Sequence, residues 1–188
     1  MVSTVKTGLM FFWEVVKVAL VSLAIILPIR YFLVQPFYVK GASMEPTFYD
    51  HDYLLIDELS YRFREPTRGE VVVFHYPRDR SSFFIKRLVA LPGERVVVKD
   101  SQVMVGPPQG ELAVISETYL GEWIRTNGNL DLTLASDEYF VLGDNRGASL
   151  DSRSFGPLKQ EEIVGRVWVR AWPLDDWSVY AGAPGLPE

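Results

Sequence analysis

Hydrophobic residues are arranged in two different ways along the chain. The most apolar part is residues 9–34, where an uncharged run at 18–29 is extended on both sides by aromatic and aliphatic residues. A helix needs about 20 apolar residues to cross a bilayer, so this pattern predicts a transmembrane helix. Glu14 and Lys17 can pair on one face of that helix, while Lys17 and Arg30 can extend toward opposite interfaces.

Two other interpretations of this segment stay open at this point. A cleaved signal peptide would need a small-residue site after the apolar run, and Val39-Lys40-Gly41 is a weak candidate beside the large Phe37 and Tyr38. A helix packed on a soluble domain is the second alternative. The few charged residues that flank the run do not predict an orientation.

After Pro36, short β-branched and aromatic runs alternate with turn residues. The runs that predict strands are 53–56, 71–76, 83–90, 95–99, 139–142 and 164–172. Asp100-Ser101 predicts a hairpin turn, and the Gly- and Pro-rich residues 106–110 predict a loop. The strands follow one another too closely for βαβ units. We therefore predict a mainly β domain over residues 36–180, between an anchor at 1–35 and a flexible tail at 181–188.

Composition narrows the chemistry that this domain can perform. The chain has 188 residues, of which 48% are hydrophobic and 23% charged, which fits one domain with an appended element. A net charge of −5 without a cluster of Lys and Arg gives no reason to expect a nucleic-acid partner. The absence of cysteine excludes disulfides and thiol catalysis, and the two histidines, His51 and His75, do not have metal-site spacing. Neither a metal nor a cofactor is expected.

Lys86 occupies an unusual position within a predicted strand. Because side chains alternate between the two faces of a strand, Lys86 shares its face with Phe84 and Leu88, whereas Arg87 lies on the other face, where a cation is unremarkable. Burial lowers the pKa of a lysine, and a fall of two to three units would cost roughly 3–4 kcal/mol. A lysine that is neutral near the operating pH can act as a general base. The alternative is a lysine whose amine extends from the apolar face into solvent.

Two loops hold the remaining candidate groups. In Gly-Ala-Ser-Met-Glu-Pro-Thr at 41–47, small residues before Ser43 let a substrate backbone approach, and Met44 can pack beside small substrate side chains. Residues 143–153 contain many hydrogen-bonding side chains that follow an apolar strand. Taken singly, each segment could equally be an ordinary solvated loop.

Taken together, these segments resemble the signature motifs of type I signal peptidases. Residues 41–47 resemble the nucleophile motif, Lys86-Arg87 followed by Leu91-Pro92-Gly93 resembles the lysine motif, and residues 143–153 resemble the last motif, in the family's order. The resemblance extends from the apolar segment to about Trp172. It implies an antiparallel, barrel-like β catalytic domain that one transmembrane helix holds at the cell membrane, on the extracytoplasmic side.

The resemblance also assigns roles to individual residues. Ser43 matches the nucleophile and Lys86 the general base of a serine endopeptidase that removes signal peptides from secreted preproteins. Ser149 matches a hydroxyl that orients the lysine amine. Asp151 and Arg153 match an ion pair that supports the site without reacting.

Substrate recognition and partners follow from the same comparison of motifs. Met44, Phe84 and Ile85 are expected to contact substrate, and Ile85 matches a residue that lines pockets for small side chains one and three positions before the cut. The expected partners are secretory preproteins and membrane lipid. Two alternatives are a specialised serine–lysine processing peptidase with a narrow client, and a membrane-tethered β module that binds proteins without cleaving them.

Gly41 departs from the pattern of part of the family. Some members carry serine two residues before the nucleophile, where its hydroxyl helps to stabilise the oxyanion. With Gly41 in that position, the oxyanion would depend on the Ser43 backbone N–H together with a substitute donor.

Overall fold

A computed structural model describes residues 2–32, 34–121 and 123–180 of the chain. The apolar N-terminal segment forms one helix, α1, at Val2–Phe32. Its stretch Met10–Leu27 is long and apolar enough to cross a membrane, and none of that stretch is buried against the protein. The predicted Glu14–Lys17 pair forms, with 2.8 Å between Lys17 Nζ and Glu14 Oε1. The predicted tail at 181–188 lies outside the described residues.

Strands make up most of the chain after α1. Among the described residues they are β1 Val34–Tyr38, β2 Tyr53–Asp57, β3 Val71–Tyr76, β4 Asp79–Ala90, β5 Arg95–Lys99, β6 Gln102–Gly106, β7 Ala113–Val114, β8 Leu130–Thr133, β9 Glu138–Leu142, β10 Leu158–Lys159, β11 Ile163–Trp172 and β12 Ser178–Val179. A one-turn helix, α2, at Ser152–Phe155 precedes β10. Strand β1 begins two residues before position 36, where we predicted that the β domain starts.

The strands form two antiparallel sheets. The larger sheet has the order β1-β2-β11-β3-β4-β9-β10 with β12 paired to β11, and the smaller has the order β7-β6-β5-β8. Every pairing among the described strands is antiparallel. The prediction of a mainly β, antiparallel domain behind an apolar helix is therefore confirmed.

The six runs that predicted strands correspond to β2, β3, β4, β5, β9 and β11. The turn predicted at Asp100-Ser101 joins β5 to β6, and both residues have positive φ, 51° and 64°. Two successive residues in this conformation form the tight turn whose twist matches that of a hairpin. The short strands β1, β7, β8, β10 and β12 were not predicted.

The central strands of the larger sheet are buried on both faces. In β3, Val71 and Val73 pack in one hydrophobic cluster, whereas Val72 and Phe74 pack in another. This period of two is the alternation of a pleated strand, and burial on both faces explains why the sequence there is continuously apolar. In β4, which lies between β3 and β9, residues 86–90 are all buried, so side chains from both faces of this part of the strand enter the protein interior.

Candidate active site

Residues 41–47 follow β1 and form a tight loop, whose inner side is fixed to the core. Met44 and Phe48 are both fully buried, and the Phe48 N–H donates to the Met44 carbonyl at 2.9 Å. We expected Met44 to contact substrate, and that expectation is wrong. The turn directs its side chain inward, against Val39 and Leu54, and leaves Ser43 at the surface of the loop.

Lys86 and Ser43 are in direct contact. Lys86 Nζ lies 2.7 Å from Ser43 Oγ and 2.7 Å from the Ile85 carbonyl oxygen. The amine is 5.4 Å from the centre of the Phe84 ring, on the strand face that the alternation predicted. Lys86 is only 3% exposed, and this burial lowers its pKa to about 8, against the opposing effect of the negative charges on Asp151 and Asp144. A substantial neutral fraction therefore exists at mildly alkaline pH.

The loop at 143–151 packs against the nucleophile loop. Asn145 donates from its backbone N–H to the Ser43 carbonyl at 3.1 Å, and from its side-chain amide to the Ala42 carbonyl at 3.0 Å. Gly143 lies so close that a Cβ there would be 2.5 Å from the Ser43 carbonyl oxygen and 2.1 Å from Ser149 Oγ. Only glycine permits this approach, because real Cβ contacts are not that short.

Asp151 and Arg153 form an ion pair beneath this loop, with Arg153 Nη2 2.7 Å from Asp151 Oδ2. Asp151 is fully buried, caps α2 and also accepts a hydrogen bond from the Gly143 N–H at 3.1 Å. Burial by itself raises the pKa of Asp151, but the Arg153 guanidinium and the Gly143 N–H outweigh it and hold the pKa below its usual range. The carboxylate is therefore charged and is held in a fixed position.

Ser149 is brought to the same place, but it does not make the expected contact. Its buried Oγ makes no hydrogen bond to Lys86 and lies near the Asp151 carboxylate, whose pKa it helps to lower. The bond that we expected between Ser149 and the Lys86 amine is absent because that amine is turned toward Ser43 and the Ile85 carbonyl. The hydroxyl therefore lies beside the Gly143 peptide and the Asp151 carboxylate and not on the lysine amine.

A second buried ion pair, between Arg87 and Asp144, was missed by the sequence analysis. Arg87 Nε and Nη2 donate to the two carboxylate oxygens of Asp144 at 2.9 and 2.6 Å, and Nη1 donates to the Gly69 carbonyl. Thr47 Oγ1 lies 2.5 Å from the same carboxylate, so the pair also fixes the end of the nucleophile loop. We predicted that Arg87 lies on the face of β4 where a cation is unremarkable, but that face is covered as well and Arg87 is buried. The apolar run that follows Arg87 on β4 was the feature of the sequence that could have indicated this burial.

An open cavity of about 690 Å³ begins at Ser43 and Lys86. Phe84 and Ile85 line it, as expected for substrate contacts, and so do residues 37–42 on the opposite side. Leu150, from the loop at 143–151, lines it as well. The described residues contain no group of three or more His, Cys, Asp or Glu side chains that could hold a metal ion. A serine and a partly neutral lysine at the end of a groove can cleave an acyl bond in an extended chain.

Comparison with known proteins gives a consistent result. The family model described as "Signal peptidase, peptidase S26" matches residues 12–172. A probable signal peptidase I-2 of Synechocystis sp. is 36% identical over 167 residues, which cover 86% of this chain and 73% of that protein. Signal peptidase IB of Staphylococcus aureus is 30% identical over 170 residues, covering 84% and 88%. A crystal structure of a signal peptidase I from Enterococcus faecalis superposes with a TM-score of 0.46 at 30% identity, covering 55% of this chain and 97% of that one.

Proposed function

The chain belongs to the signal peptidase family, peptidase S26, and from this premise we propose that Ser43 and Lys86 are the residues with which it cleaves signal peptides from secretory preproteins. The protein is a serine endopeptidase, in keeping with its family. The observation that carries the residue assignment is the 2.7 Å contact between the buried Lys86 Nζ and the half-buried Ser43 Oγ.

In the acylation step, neutral Lys86 accepts the Ser43 hydroxyl proton while Oγ attacks the scissile carbonyl carbon. The ammonium then gives that proton to the leaving amine as the C–N bond breaks, which leaves an ester on Ser43. In the second step Lys86 removes a proton from water, the hydroxide attacks the ester, and the proton returns to Ser43 Oγ. The Ile85 carbonyl, 2.7 Å from Nζ, holds the amine in place throughout.

Ser149 has a place in this sequence, although it does not contact Lys86 in the free enzyme. Once Ser43 Oγ is esterified, the lysine amine loses its partner. The buried Ser149 hydroxyl, whose neighbour in the free enzyme is the Asp151 carboxylate, is available as a replacement. Asp151 and Arg153 would act as positioning residues, since their contacts reach the Gly143 N–H and not the groove.

The groove supports an extended substrate that lies between residues 37–42 and the part of β4 that includes Phe84 and Ile85. Aromatic and branched side chains line it, and we expect them to admit small side chains near the cut. Preproteins with small residues one and three positions before the cleavage point are therefore the proposed substrates, and Phe84 and Ile85 are the proposed substrate contacts.

The position of the protein at the membrane is also part of the proposal. Helix α1 provides a single anchor and leads directly into β1. Exposed apolar side chains that would rest on lipid lie two strands away, on β11, β12 and the segment between them: Trp168, Trp172, Leu174, Trp177 and Val179. Tryptophan favours the membrane–water interface. We place the catalytic domain on the extracytoplasmic side, because preprotein cleavage sites emerge there.

Sidedness can be tested by using the absence of native cysteine. In a Lys99→Cys variant, a thiol-specific reagent that does not cross membranes should label intact cells, since residue 99 is exposed in the β domain. Labelling only after the cells are opened would place the domain in the cytoplasm.

The enzymatic assignment is tested by preprotein processing in membranes that carry Ser43→Ala or Lys86→Ala. Each variant should lose activity by on the order of 10⁴-fold or more, whereas the exposed control substitutions Ser116→Ala and Lys99→Ala should process normally. Near-normal cleavage by either active-site variant would reject the assignment.

A panel of preproteins would separate a general peptidase, which accepts many, from a processing enzyme with a narrow client. A non-catalytic binding module is disfavoured by the close Ser43–Lys86 contact.

A further inference from the structure

Residues 115–121 and 123–128, here called the crossing segment, connect β7 to β8 in the smaller sheet and reach across to the loop at 143–151. None of the described residues of this segment lines the substrate groove. Even so, Glu117, Tyr119, Thr126 and Asn127 all contact arginines that hold the active-site loops. The segment therefore contacts the site through these arginines and not through the groove.

Most of these contacts converge on Arg146, whose side chain is fully buried. Its Nη1 donates to Glu117 Oε2 at 2.9 Å and to Thr126 Oγ1, while Nη2 donates to Glu117 Oε1 and to the Tyr119 hydroxyl at 3.2 Å. Nε donates to the Gly143 carbonyl at 3.0 Å. A guanidinium has five N–H groups, so four are used by the crossing segment and the fifth holds Gly143.

Gly143 connects the contacts of Arg146 to the residues of the proposed reaction. Its N–H is fixed by Asp151 and its carbonyl by Arg146. Its Cα is directly against the Ser43 carbonyl and the Ser149 hydroxyl, where even a methyl group would not fit. Any displacement of the Gly143 peptide would therefore move Ser43 or Ser149.

A second contact from the crossing segment supports Lys86. The Tyr119 ring lies 3.9 Å from the Arg87 guanidinium, and the Tyr119 hydroxyl donates to Glu117 at 2.8 Å. Arg87 follows Lys86 on β4 and forms the buried pair with Asp144. Glu117 therefore contacts both the arginine below Gly143 and the aromatic ring that covers Arg87.

We propose that Glu117 is a positioning residue for peptide-bond cleavage, which acts through Arg146 on the Gly143 peptide and thereby fixes Ser43 relative to Lys86. The inference rests on the proposed function of that pair. Removing the Glu117 charge would leave a buried guanidinium without its carboxylate, which is destabilising and would weaken the hold of Arg146 on the Gly143 carbonyl. Substrate binding would be spared, because the crossing segment does not line the groove.

The test uses the full-length enzyme in detergent with a peptide substrate, and compares Glu117→Gln, which keeps shape and removes charge, with Glu117→Asp, which keeps charge. Per folded molecule, Glu117→Gln should lower kcat by on the order of 10- to 100-fold, the scale of small displacements of reacting groups, with KM within about 2-fold. Glu117→Asp should recover part of kcat. Asp131→Asn is the matched control, since it breaks an ion pair with Arg95 in the same small sheet, and its kcat should be unchanged.

Adding Arg146→Met to Glu117→Gln should lower kcat little further, because both changes act on one connection. The inference is overturned if Glu117→Gln keeps kcat within about 2-fold, if its loss is matched by Asp131→Asn, or if the two substitutions are fully additive. Ser43→Ala is measured in parallel. If the Ser43→Ala variant is active, the proposed function itself is rejected. If Ser43→Ala is inactive and Glu117→Gln is fully active, only the role of Glu117 is rejected.

Discussion

Replacing Lys86 with methionine should abolish cleavage and, near neutral pH, make the folded protein more stable. Methionine is similar in length to lysine and carries no charge, so it can occupy the same space beside the Phe84 ring. The wild-type protein must bury an ammonium group at a position that is only 3% exposed. The variant has no such group to bury.

The size of the effect follows from the pKa of Lys86, which falls from 10.5 to about 8 on folding, chiefly because of burial. At roughly 1.4 kcal/mol per unit, this is a penalty of about 3 kcal/mol in the free energy of unfolding at any pH below 8. Losing the amine's hydrogen bonds offsets about 1 kcal/mol, so a net gain of about 2 kcal/mol is expected. Between pH 8 and 10.5 the folded state releases its proton first, so the penalty shrinks, and above 10.5 it is gone.

Denaturant unfolding of the full-length protein in nonionic detergent, followed by its tryptophan emission, gives the free energy at each pH. Lys99→Met, at an exposed strand end, is the control and should show no pH-dependent gain. In parallel, wild-type kcat/KM should rise through about pH 8 as Lys86 becomes neutral. A Lys86→Met protein that is less stable than wild type at pH 6, or equally stabilised at pH 6 and pH 11, would refute the reasoning that burial sets the pKa of this lysine.

Three further substitutions test the framework of the site. Gly143→Ala should lower kcat/KM by at least about 10²-fold, because its Cβ would be 2.5 Å from the nucleophile backbone; Gly147→Ala, in open space, should be near neutral in the same assay. Asp144→Asn should lower the free energy of unfolding by about 3–5 kcal/mol, because it leaves Arg87 buried without its carboxylate. It should also shift the rise of kcat/KM to lower pH, since the Asp144 charge raises the pKa of Lys86. Gly41→Ala should cost about 1–2 kcal/mol of stability in chemical unfolding, because φ there is +88°.

Much of the fold could be predicted from local patterns. Strands that consist of continuous valine runs, and the hairpin that turns at Asp100-Ser101, are each specified by neighbouring residues. A local pattern was therefore sufficient to predict them. The two-residue strands β7, β10 and β12 left no pattern, because a pairing that short is fixed by its neighbours in the sheet and not by its own residues. The 12-residue strand β4 was predicted from Phe83 only, since its first residues are polar and exposed.

The candidate site was predictable where strand alternation applied and not where the chain folds back on itself. Alternation placed Lys86 beside Phe84 correctly. It could not show that the opposite face of β4 is also covered, so the buried state of Arg87 was missed. Met44 failed as a substrate contact because a turn, not a strand, sets the direction of its side chain. The partners Glu117 and Arg146 are 29 residues apart, and no local pattern connects them.

The arrangement around Gly41 limits how the oxyanion can be stabilised. Its φ of +88° favours glycine, and its N–H already donates to Asp50 Oδ1 at 2.8 Å. A serine at this position, as in some family members, would place a Cβ on a residue with positive φ and would strain the loop that presents Ser43. In the proposed mechanism the Ser43 N–H stays the expected donor, and the ammonium formed on Lys86 after proton transfer would supply positive charge beside Oγ. Because that ammonium is buried, its attraction to the oxyanion is stronger than in water. In the proposed mechanism, the burial that lowers the pKa of Lys86 and makes it a base at moderate pH would also make its ammonium a stronger acid toward the leaving amine.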